Sequence, residues 1–124
     1  MIFEERTLLS ADVRRHHVFY SAIFSDIPFY EVFEVLESPL SYRIQNSLTR
    51  NAIVVQQGEP IESDRPLVSY SLNLMKDMLT VSSRIESAGG SVHREAQEIK
   101  PGIWALWGID SLGQHFGLVC SSHE

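Results

Sequence analysis

The sequence is short of several things, and each shortage closes off a class of function. Its 124 residues hold one cysteine, Cys120, so no internal disulfide can form. The apolar strand pattern around that residue marks it as a small buried hydrophobe. Lysine and arginine number 10 against 16 aspartates and glutamates, a formal charge of -6. Such a balance offers no field to gather phosphates, which argues against nucleic acid and anionic membranes as partners. No apolar run approaches the roughly 20 residues needed to span a bilayer. The opening Met-Ile-Phe-Glu-Glu-Arg has no basic region followed by an apolar stretch, so a cytoplasmic protein is expected.

What is present fills one core. Hydrophobic residues make up 44% of the chain, enough for a single domain of this length. An extended run from Ile2 to Ala11 precedes Asp12, whose carboxylate stands where a helix N-cap belongs. From Val13 onward, Val13, His17, Tyr20 and Phe24 recur at helical spacing with Ile23 alongside, leaving Arg14, Arg15 and Ser21 to water. Pro28 ends this helix. Three strands are predicted next, near Phe29 to Leu36, Ser41 to Gln45 and Arg50 to Gln56, separated by Glu37-Ser-Pro-Leu40 and Gln45-Asn-Ser-Leu-Thr49. A polar stretch broken by two prolines, 58–66, then divides the chain almost in half.

The second half repeats the order. Leu67 to Leu74 reads as a strand, and Lys76 to Ala88 as a helix with Met78, Val81, Ile85 and Ala88 on one stripe. Gly89-Gly90 supplies the left-handed conformation that stops it. Three strands follow, near Ser91 to Ile99, Gly102 to Ile109 and Gln114 to Ser121. The halves share a pattern and almost no identity.

Ile85-Glu-Ser-Ala-Gly-Gly-Ser-Val-His93, the turn Asp110-Ser-Leu-Gly113 and the closing Phe116-Gly-Leu118 resemble the second module of the vicinal oxygen chelate proteins. That superfamily includes glyoxalase I, extradiol dioxygenases, and bleomycin- and fosfomycin-resistance proteins. Asp12 followed by Phe19-Tyr20 and Ile23-Phe24 is similar to its first helix. Ser111 and Gln114 depart from the family's usual Pro and Asn in the turn. A glycine able to take positive φ is what such a turn requires, so the turn is expected to survive.

The resemblance implies an α+β fold: two βαβββ modules, about 1–57 and 67–124, forming a curled mixed β-sheet with helices on the outer face. It also implies a concave face where the family binds a divalent metal through His and Glu. Carried over residue by residue, the ligand positions fall on Glu5, on Ser69 or a neighbour, and on Gly117. One carboxylate, one hydroxyl and a residue without a side chain do not make a site for a first-row metal, so neither metal nor cofactor is expected.

The residues read for themselves leave alternatives open. Alternation places Glu5, Thr7 and Leu9 on one face of the first strand, where Glu5 would serve as a general base or hold a cation. Equally, it would be a rim carboxylate or pair with an arginine such as Arg6 of a second chain. Trp104, Trp107, Tyr30, Phe33 and Tyr42 are candidates for stacking on a flat molecule, or simply core. His16 and His17 diverge by about 100 degrees on a helix and cannot share an ion, one being expected exposed and one half-buried. His93, His115 and His123 show no ligand spacing, and Cys120 as a nucleophile lacks neighbouring positive charge in sequence. The candidate ligand contacts are therefore Glu5, Thr7, Ser69, Ser71, Trp107 and Gly117.

The preferred function is binding of a small organic molecule in a metal-free cup, by a homodimer. The alternative is a metal-dependent lyase, dioxygenase or transferase acting on a small oxygenated substrate. A third is a structural protein whose cup is filled by its own side chains.

Overall fold

The computed structural model describes residues 3–35 and 41–121. The elements run β1 (Glu4–Ser10), α1 (Val13–Ile23), β2 (Tyr30–Val35), β3 (Ser41–Asn46), β4 (Asn51–Gln57), β5 (Ser69–Leu72), α2 (Met75–Ile85), β6 (Ser91–Lys100), β7 (Ile103–Ile109) and β8 (His115–Ser121). This is an α+β fold of two βαβββ modules. The chain divides into two compact units between Ile61 and Glu62, inside the stretch expected to link them. The segment Leu36 to Leu40, where the second strand and the following turn were expected to meet, lies outside the described residues, as does His123.

Each module builds one mixed four-stranded sheet, in the order β1-β4-β3-β2 in the first and β5-β8-β7-β6 in the second. The first strand of each module pairs in parallel with the last, and the remaining pairs are antiparallel. A parallel pair needs a crossover connection, and the helix of each module begins that crossover. One face of each sheet therefore lies under a helix while the other carries the alternate side chains.

In the first module, Tyr42, Ile44, Ile53 and Val55 lie under α1 and are buried. From α1 come Val13, His16, Phe19, Tyr20 and Ile23. The expected stripe is thus rotated slightly: His16, fully buried, takes the place predicted for an exposed histidine, and His17 is half-buried with its ring 5.2 Å from that of Tyr42. The physical reason is the width of a helix's apolar stripe, which admits either histidine beside Val13 and Tyr20. Ser21 is half-buried too. Asp12 caps the helix as expected, its carboxylate accepting from the Arg15 amide at 3.2 Å.

In the second module Met78, Val81 and Ile85 of α2 pack on the side of Tyr70, Leu72, Leu106, Phe116, Leu118 and Cys120, all buried. α2 ends at Ile85, three residues short of the expected Ala88, and a turn carries the chain to Gly89 at φ +103°, the Gly90 amide closing back onto the Ile85 carbonyl at 2.9 Å. β5 is shorter than expected at both ends, with Pro66 ahead of it and the lead-in to α2 behind. At the β7–β8 turn, the buried Asp110 carboxylate accepts from the Leu112 and Gln114 amides while Gly113 takes φ +82°. Ser111 and Gln114 thus leave the turn intact. Among the described residues no helix is long and apolar enough to cross a membrane.

Candidate functional site

The strand registers of the second module lay its uncovered face out in rows. Ser69 on β5, Gly117 on β8, Trp107 on β7 and Arg94 on β6 are successive Cα partners across the sheet. The next row is Ser71, Val119, Ala105 and Gln97. Strand alternation sends these side chains away from α2, because Tyr70, Leu118 and Leu106 between them are buried toward it. Three of the six expected contacts, Ser69, Trp107 and Gly117, accordingly come together. They line a cavity of about 330 Å³ with Arg94, Gln97, Ile99 and Val119. Ser71 stands one row on, on the same face, and does not line it.

Trp107 is the centre of this face. Its indole N–H donates to Nδ1 of His115 at 2.8 Å. A ring nitrogen that accepts carries no proton, so the bond assigns the proton of the neutral imidazole to Nε2 of His115. The His93 ring lies 4.7 Å from the indole and 5.9 Å from the His115 ring. The Arg94 guanidinium sits over the indole, 5.4 Å from its centroid, within the range of a cation–π contact. Two consecutive residues of β6 thus approach one side chain. Regular alternation forbids that, and the shift in register between Val92 and Arg94 permits it.

In the sequence His93 and His115 fall on separate strands or turns, and Arg94 carries no signal of its own. The bulge is the cause, since nothing in Ser-Val-His-Arg-Glu announces an extra residue. Of the other aromatics considered, Tyr42 is fully buried on the α1 side. Tyr30 stacks on Phe24 with centroids 4.4 Å apart. Burial, partly offset by an Asn46 hydrogen bond, pushes its phenol well above the ordinary range. Trp104 pairs with Glu98 on the opposite face from Trp107. Phe33 is exposed beside Arg43 in the first module.

Glu5 and Thr7 lie on the corresponding uncovered face of the first module, both exposed. Glu5 is ion-paired with Arg43 of the same chain, whose Nε also donates to the Gln45 side chain at 3.0 Å and whose guanidinium lies 5.4 Å from the Phe3 ring. The carboxylate is therefore committed to a cation already present.

The fit of a divalent metal can be judged from the donors. Ser69 and Gly117 are direct partners, and a Cβ added at Gly117 would stand 2.8 Å from the Ser69 Oγ. A longer side chain would enter only by displacing the serine. Among the described residues no three His, Cys, Asp or Glu side chains converge on a point. The donor set at these positions does not fit a first-row metal. Cys120 is fully buried toward α2, and burial together with the Asp77 carboxylate pushes its thiol up, away from the nucleophilic form.

No family model and no curated protein sequence matches the chain. Solved structures do. A glyoxalase/bleomycin resistance protein from Albidiferax ferrireducens superposes with a TM-score of 0.75 at 11% identity, covering 95% of this chain and 97% of that one. A glyoxalase/bleomycin resistance protein/dioxygenase family enzyme from Burkholderia phytofirmans gives 0.72 at 11%, covering 98% and 99%. A fosfomycin resistance protein from Listeria monocytogenes gives 0.69 at 14%, covering 99% and 95%. These are vicinal oxygen chelate proteins, and the chain has their fold.

Proposed function

We propose that this chain, with its vicinal oxygen chelate fold, is a binding protein for a small organic molecule and works without a metal, as a homodimer. The observation that carries the reading is the row Ser69–Gly117–Trp107. Where the resemblance puts two metal ligands there stand a hydroxyl and a bare backbone, and beside them a cavity is walled by Trp107, Ala105, Val119 and Ile99. Its volume of about 330 Å³ suits a small ligand. The apolar walls suit an apolar ring, the indole supplies a surface for stacking, and the Ser69 hydroxyl and Gln97 amide give direction. Glu5, Thr7 and Ser71 belong to the proposal as polar groups on the uncovered faces.

One observation favours the alternative of a metal-dependent enzyme: His93 and His115 approach each other. Two imidazoles fall short of the three protein ligands that a catalytic site uses, and Trp107 already holds one nitrogen of His115.

Elemental analysis tests the reading. The purified protein is expected to carry no stoichiometric Zn, Fe, Mn or Ni, and in the presence of a chelator a thermal-shift screen of aromatic metabolites and antibiotics is expected to yield stabilising compounds. A ligand at 100 times its Kd adds about 2.7 kcal/mol to native stability, a readily visible shift. One equivalent of metal, lost on Glu5→Ala, overturns the proposal.

A further inference from the structure

The two modules each place an arginine on the uncovered face of the sheet, and they treat it differently. Arg43 in the first is neutralised by Glu5 and donates to Gln45. Arg94 in the second has the Trp107 ring beneath it and no carboxylate or hydrogen-bond partner among the described residues. It lines the cavity with Ser69 and Gln97, neither of which carries charge. A guanidinium presents a planar fork of donors that matches a carboxylate, and the indole 5.4 Å away gives it a cation–π contact that leaves those donors to a ligand. The remaining cavity wall, Trp107, Ala105 and Val119, is apolar and suits a ring.

Taking the cavity as a ligand site, as argued above, we infer that it selects flat organic anions, with the carboxylate paired to Arg94 and the ring against Trp107, Ala105 and Val119. The surroundings agree with this sign of charge. β6 carries two acidic residues, Glu95 and Glu98, and neither lines the cavity; Glu98 accepts from the Gly102 amide and pairs across the sheet with Trp104, on the opposite face. A cationic ligand would meet Arg94 with no carboxylate on the cavity wall to offset it.

The test uses the whole chain and a matched pair of probes, 2-naphthoate and 2-naphthamide, which share a ring and differ in charge. Calorimetric titration is expected to give about tenfold tighter binding of the naphthoate, the scale of one charge-assisted hydrogen-bonded pair. Arg94→Gln, an exposed position, is expected to bring the two probes to within about twofold of each other through loss of naphthoate affinity. Lys76→Gln, the same charge change on exposed helix surface, is expected to keep the preference. With only two tryptophans in the chain, the indole N–H resonances locate the ligand, and that of Trp107 should move on binding. Equal binding of both probes by the unaltered protein overturns the anion preference and leaves the cavity reading standing. A preference that survives Arg94→Gln overturns the assignment to this arginine. Binding of neither probe overturns the inference as well, and the thermal-shift screen then decides the cavity reading on its own.

Discussion

One hydrogen bond, from the Trp107 indole to His115, fixes both the orientation of the stacking surface and the tautomer of the imidazole beside it. A neutral donor–acceptor pair of this kind has directional rather than large energetic value. Cys120 shows the opposite use of a polar atom, one withdrawn from chemistry. It is fully buried, and burial first and the Asp77 carboxylate second push the thiol above its ordinary value of 9.0. The folded state therefore holds its proton to higher pH than the unfolded chain does. The contribution to stability is fully present below the unfolded thiol's value and is lost as pH rises through the folded one. Two results are expected. An aromatic disulfide reagent at pH 8 should label the native protein far more slowly than the urea-unfolded one, and denaturation midpoints should fall above pH 9.0 by less in Cys120→Ala than in the unaltered chain. Rapid labelling of the native state would return Cys120 to the list of candidate nucleophiles.

The start of α1 is an element-level device with several parts. Asp12 accepts from the Arg15 amide, the Asp12 amide donates to the Ser10 hydroxyl at 3.1 Å, and Gln57 of β4 accepts from the Val13 amide at 3.2 Å. Helix and sheet are thereby tied at the point where the crossover begins. Removing the cap by Asp12→Ala is expected to cost about 1 kcal/mol in chemical denaturation and to leave naphthoate binding unchanged, since the cavity is built by the second module. A change below a few tenths of a kcal/mol would assign the capping to Gln57 and Ser10 instead. Elements with such local punctuation were legible in the sequence: Asp12 before an apolar stripe, Gly89-Gly90 after one, and Asp110 with Gly113 around a turn. The row of Ser69, Trp107 and Gly117 was legible through the family resemblance. The partners that define the site's chemistry were not. Arg43 meets Glu5 across 38 positions of sequence, and His93 meets Trp107 only because a bulge breaks the alternation by which strand faces are read. His16 was misplaced for a different reason, because its ring is apolar enough for a core and polar enough for a surface.

At the scale of the molecule, each module leaves one sheet face without a helix and two edge strands with a single neighbour apiece. β6 is the more exposed of these edges in the second module, ten residues long and exposed at most positions. An uncovered face that carries a cavity, and edges that present unpaired backbone groups, are surfaces on which proteins associate. A two-fold pair would repeat every contact, so that each copy's β6 or uncovered face meets the same surface of the other. We therefore expect a homodimer in solution. Sedimentation at micromolar concentration should give twice the mass of one chain, and Arg94→Gln should leave that mass unaltered if the arginine faces a ligand rather than a second copy. A species of one chain's mass, unchanged as concentration rises, would sink the dimer and leave each ligand site to be built by a single chain.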